Sequence, residues 1–165
     1  MSKLIIIRGN SGSGKSSAAK GLQKRIGRNT LVIAQDTVRR EMLWARDGYD
    51  TAALPLLIHL LRYGYAHNEV VILEGILHSE WYKPLFETAI QLFGTDICAY
   101  YYDLPFEETL KRHETKTQKL EFGEADMRRW WNEKDYIGII PEKTITKEMS
   151  LDAAIDMILS DIQTN

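Results

Sequence analysis

The chain has one cysteine, four prolines and no apolar run near the length of a membrane span. A lone Cys98 excludes an internal disulfide, and its apolar neighbours mark it as a buried thiol suited to a reducing compartment. Spanning a bilayer takes about 20 apolar residues. The N-terminal apolar run, Leu4 to Ile7, is only four residues long, so neither an anchor nor a secretory leader is expected. An excess of one charge is missing too: 21 Lys and Arg face 23 Asp and Glu, for a net charge of −2. That balance removes the global basic field that long nucleic acids select. His59, His67 and His78 lack metal-ligand spacing. No N-K-x-D sequence reads a guanine, and no repeat, low-complexity segment or linker divides the chain. The expectation is one cytoplasmic domain over residues 1–165, a monomer or homodimer, with a composition ordinary for a globular protein.

What is present is concentrated near the start. Gly9-Asn10-Ser11-Gly12-Ser13-Gly14-Lys15-Ser16 fits the phosphate-loop pattern G-x-x-x-x-G-K-[ST] at every specified position. A short apolar strand, residues 3–8, precedes it, and a helix from Ser16 to Ile26 follows, with Ala18, Leu22 and Ile26 at helical spacing. A triphosphate needs many N–H donors converging on a small volume. Glycines let the backbone wrap that closely, and the helix N-terminus beyond adds unpaired amides and a favourable dipole. Lys15 is expected to reach the β- and γ-phosphates and Ser16 to complete a Mg²⁺ shell. The nucleotide-binding candidates are therefore Gly9, Asn10, Ser11, Gly12, Ser13, Gly14, Lys15, Ser16 and Ser17.

Further strands are expected over 29–34, 69–75, 95–103 and 143–147. Helical patterns are expected over 37–44, 51–67, 79–93 (capped by Ser79), 104–113, 123–133 and 150–162 (capped by Ser150). Buried strands alternating with helices imply a three-layer α/β domain with a parallel sheet covered on both faces. In such sheets ligands sit at the carboxyl ends of the strands. Asp36 follows the second strand. It is read either as a general base for an attacking hydroxyl or as a helix N-cap, and the roles can coexist. Arg39, three residues on, could clamp an acidic group on the acceptor. Glu74 ends the third strand and could order Mg²⁺ or contact the acceptor. Asp103 reads as a strand terminator. The charged segment after residue 110 reads as a lid, about 111–128, bringing a cation to the transferring group. Arg112 is the first candidate, with Lys116, Lys119, Arg128 and Arg129 behind it.

The phosphate loop, Asp36-x-x-Arg39, and Leu104 to Arg112 followed by a basic lid together resemble the small P-loop kinases. The likeness is to the polynucleotide 5′-kinase, zeta-toxin and chloramphenicol phosphotransferase group. It implies a P-loop NTPase fold of the nucleoside-kinase type, with five parallel strands ordered 2-3-1-4-5. It also implies ATP and Mg²⁺ as cofactors, Asp36 as base, Arg39 on an acceptor phosphate, Arg112 as lid cation, and adenine near residues 146–149. The expected activity is transfer of a γ-phosphoryl group to a hydroxyl of a small-molecule, nucleoside or nucleotide-like acceptor. A polynucleotide 5′-hydroxyl kinase and a regulatory NTPase without an acceptor are the alternatives.

Overall fold

The structure, a computed structural model, describes residues 1–115 and 121–165. Five strands among them form one parallel sheet ordered β2-β3-β1-β4-β5. They are β1 (Lys3–Gly9), β2 (Leu31–Ala34), β3 (Val70–Gly75), β4 (Ile97–Tyr102) and β5 (Glu142–Ile145). The helices are α1 (Lys15–Ile26), α2 (Ala53–His67), α3 (Lys83–Phe93), α4 (Phe106–Glu114), α5 (Glu124–Arg129) and α6 (Leu151–Thr164).

Side chains alternate across β1. Leu4 and Ile6 join Leu57, Leu61 and Phe86 under α2 and α3. Ile5 and Ile7 join Leu22, Tyr100 and Ile158 under α1 and α6. Burial on both faces is why the strands read as continuous apolar runs. The helices after the neighbouring strands β1 and β3 cover opposite faces, so the loops leaving these strands diverge and open a crevice at their carboxyl ends.

Several local expectations change. The patterned stretch after β2 is a π-helical turn, Thr37–Met42, in which Leu43 N donates to the Val38 carbonyl five residues back (3.1 Å). Ser79 caps no helix: its hydroxyl and amide both donate to Asp135, at 2.5 and 2.9 Å, and α3 begins only at Lys83. The helix expected over 123–133 stops at Arg129, leaving Trp130 and Trp131 beyond it. Ser150 does cap α6, accepting from Ala153 N at 3.1 Å. Lys116 and Lys119 lie outside the described residues. No described helix is long and apolar enough to cross a membrane.

Candidate functional site

The loop between β1 and α1 is shaped by torsions that only glycine adopts freely. Gly12 has φ 79°, and a Cβ there would stand 2.6 Å from the Thr109 carbonyl oxygen of α4. The loop therefore lies directly against α4's backbone, with no room for a side chain between them. Arg112, on the same helix, donates from Nη1 to the Ser13 carbonyl (2.7 Å) and is steadied by Glu108 (3.1 Å). On the opposite side the Asn10 amide donates to the Asn132 carbonyl (2.7 Å) and accepts from its N–H (2.8 Å). The Lys15 ammonium folds back over the loop to the Asn10 carbonyl at 3.2 Å. Gly14 precedes α1 without a side-chain cap, so the first amides of the helix face the loop's hollow. Ser13 Oγ is buried with no hydrogen-bond partner among the described residues. The hollow is thus edged by backbone amides, an ammonium and a hydroxyl, donors of the kind an anion takes.

Two carboxylates flank the hollow. Glu74, buried near the end of β3, accepts from Ser16 Oγ at 3.0 Å. Asp36 follows β2, whose last residue, Ala34, is in register with Glu74. The Asp36 side chain is 61% exposed and takes Arg39 Nη2 at 3.1 Å and Arg40 Nε at 3.0 Å. Its backbone is already helical (φ −63°, ψ −41°) and its side chain caps nothing, so the N-cap expected as one of its roles is not formed.

Two adjoining cavities, about 520 and 460 Å³, share the walls Ser11, Lys15, Ser16, Asp36, Arg40 and Glu74. The first also reaches Gly12, Gly14, Ser17 and His113, and the second reaches Arg39, Arg46, His78, Trp81 and Trp130. The geometry thus gathers the phosphate loop, Asp36 and Glu74 around one hollow. Gly9 lies beneath it, where a Cβ would meet Ser13 Oγ and Tyr102 Cβ at 2.9 Å. Burial pushes the Tyr102 phenol up to about 12, against the pull of the Arg112 charge.

The cations distribute differently from expectation. Arg112 braces the loop and lines neither cavity. Arg39 donates to Asp36 and to the Ala45 carbonyl (3.3 Å) and lies 3.8 Å from Asp47. Arg128 pairs with Glu124 and covers Phe106, while Arg129 pairs with Asp126 and lines the second cavity. Asp103 is held by Lys134 at 2.6 Å. His78 reaches the cleft, and His59 and His67 are exposed.

Sequence reasoning passed over Arg40, whose guanidinium lies 5.4 Å from the centre of the Trp130 ring. Its signal was available, since it stands four residues after Asp36. It also passed over Arg8, the largest fully buried side chain. Arg8 pairs with Asp135 (3.0 Å) and Glu142 (2.8 Å) and donates twice to the Leu77 carbonyl (2.8 and 3.2 Å). It therefore ties together two of the segments that wall the second cavity, the one after β3 and the one after α5. Nothing local advertises those partners.

Among the described residues no group of three or more His, Cys, Asp or Glu forms a ready-made metal cluster. Ser16 and Glu74 instead offer two hard oxygens, the donor set of an ion such as Mg²⁺ that keeps much of its own water.

No family model and no curated protein matches the chain. Solved structures do. A gluconokinase from Sinorhizobium meliloti 1021 is similar with a TM-score of 0.70 at 16% identity, over 98% of this chain and 92% of that one. The Mycobacterium tuberculosis APS kinase CysC, in complex with AMPPNP and APS, is similar with a TM-score of 0.67 at 18% identity, over 99% and 98%. A Deinococcus radiodurans tunicamycin resistance protein gives 0.67 at 14%, over 98% and 96%. The chain has the P-loop kinase fold, with the strand order expected of it.

Proposed function

We propose that the protein is an ATP- and Mg²⁺-dependent phosphotransferase that moves the γ-phosphoryl group to a hydroxyl of a small-molecule, nucleoside or nucleotide-like acceptor. One observation carries this reading: an exposed carboxylate, Asp36, shares the walls of both cavities with the Lys15 loop. A nucleotide-binding module without an acceptor has no use for a second, open cavity beyond that carboxylate.

The loop amides and Lys15 bind the β- and γ-phosphates, and Ser16 and Glu74 hold the metal. When bound, Mg²⁺ offsets charge on the phosphate oxygens. Asp36 accepts the proton of the acceptor hydroxyl as its oxygen forms a bond to the γ-phosphorus. The bond from that phosphorus to the β-bridging oxygen breaks, and ADP leaves. Arg40 lines both cavities, so we assign it to the charge on the migrating group, while Arg112 keeps the loop in shape. The adenine is assigned to the turn at residues 146–149.

The test is transfer from γ-labelled ATP to a panel of hydroxyl-bearing metabolites, nucleosides, antibiotics and a 5′-hydroxyl oligonucleotide. Asp36→Asn should keep Mg·AMPPNP binding and lose about 10² to 10⁴ of turnover on the best acceptor. Unchanged transfer by that variant would remove the base from the mechanism.

A further inference from the structure

Five cations and three carboxylates line the second cavity. Lys15 belongs to the phosphate loop, Arg39 and Arg40 both pair with Asp36, and Arg129 pairs with Asp126. Arg46 is different: among the described residues its guanidinium meets no carboxylate and no hydrogen-bond acceptor. The neighbouring acid does not neutralise it. Asp47 takes the Tyr82 hydroxyl at 2.5 Å and the Gly48 amide at 3.1 Å, and lies 3.8 Å from Arg39 Nε.

The segment carrying Arg46 is built rather than loose. Arg39 Nη1 donates to the carbonyl just before it, and Thr51 Oγ1 donates to the Arg46 carbonyl at 2.6 Å. Gln35 Nε2 donates to the Tyr82 hydroxyl at 2.8 Å, tying Asp47's anchor back to the end of β2. Burial, reinforced by Asp47, raises the Tyr82 phenol above its ordinary value, so this donor stays protonated at neutral pH. Arg46 is exposed, and what singles it out is its place: a segment fixed through its backbone carries an unpaired guanidinium on the cavity wall, where it can dock an anion.

The same cavity is lined by His78 and Trp81, which stack at 4.2 Å and 18° between planes, and Tyr49 meets Trp81 edge-on at 6.1 Å. An aromatic wall of this kind accepts a flat ring.

We propose, resting on the phosphotransferase reading above, that the acceptor is an anionic alcohol bearing a planar ring. Its phosphate, sulfate or carboxylate is held by Arg46 and its ring lies toward Trp81, while its free hydroxyl is turned to Asp36. Arg39 is then a positioning residue that fixes the Arg46 segment and the base.

The experiment uses matched alcohols: nucleosides against their 3′- and 5′-monophosphates and 5′-phosphosulfates, and ring-free glycerol against glycerol 3-phosphate and glycerate. Binding is read by tryptophan fluorescence on the full chain saturated with Mg·AMPPNP, and transfer is read from γ-labelled ATP. Anionic ring-bearing members should bind at least about tenfold tighter than their neutral partners. Arg46→Ala should erase about tenfold to a hundredfold of that preference, and Arg46→Lys should restore part of it. Both variants should keep the wild-type melting temperature and Mg·AMPPNP affinity, which excludes misfolding. Equal binding of neutral and anionic members overturns the proposal, as does an Arg46→Ala profile identical to wild type. Preference for ring-free anions overturns the ring and keeps the anion site. Anion binding lost with Arg46 but no transfer to any alcohol sustains the site and defeats the phosphotransferase reading instead.

Discussion

Gly12 shows how tightly a single residue is constrained here. Gly12→Ala would place its methyl against α4's backbone in a left-handed torsion, so either the loop or the helix must shift. The expected cost is about 1–3 kcal/mol of stability, together with weakened Mg·AMPPNP binding, both readable by thermal melts with and without nucleotide. Lys15→Met should abolish transfer and weaken nucleotide binding while the protein stays folded, as circular dichroism and calorimetric titration would show. These residues were legible in the sequence because their demands are local: positive φ, a short spacing, a helix start. Asp36 was legible as a strand-end acid. Its freedom from capping was not, because that depends on how the chain turns after β2. Arg46 carried no signal at all, since being unpaired is a property of the surroundings and not of the residue.

At the level of elements, strands and most helices followed from apolar runs and their periods. The errors fell where distant partners outcompete local preference. Ser79 is a plausible cap by composition, but Asp135, 56 residues away, takes both its donors. Ser150 has no such rival and caps α6, so Ser150→Ala should cost about 1 kcal/mol in urea denaturation. Arg8 is the costlier test. Its removal would strand Glu142, fully buried, beside Asp135. Burial already raises the Glu142 carboxyl even with Arg8 beside it. Arg8→Met should therefore lose about 3–5 kcal/mol. The milder Arg8→Lys should raise KM for the acceptor more than for ATP, since its bonds hold the acceptor-side loops.

For the molecule as a whole, four buried phenols set an upper pH limit. Tyr82, Tyr100, Tyr101 and Tyr102 are all pushed above the ordinary value of 10, in each case chiefly by burial. A group whose pKa is raised by folding lends stability that is complete below its unfolded value and fades as pH climbs through the folded one. The melting temperature should hold below pH 10 and fall steeply from 10 to about 12, where Tyr102 titrates. Tyr100→Phe should soften that fall. A profile that declines evenly from pH 7 would assign alkaline sensitivity to other groups.

The wide turn between β2 and α2 also has a consequence for how such a chain could change. Arg39 and Arg40 stand three and four residues after Asp36, the spacings at which helical side chains meet, and both pair with it. Excising one residue between Asp36 and Arg39 would set the two arginines two and three residues after the acid, and only the second would keep a pairing distance. The first guanidinium would swing off its carboxylate with no base chemistry altered. Length, rather than identity, is the cheaper mutation by which descendants of this sequence could acquire a new taste in partners.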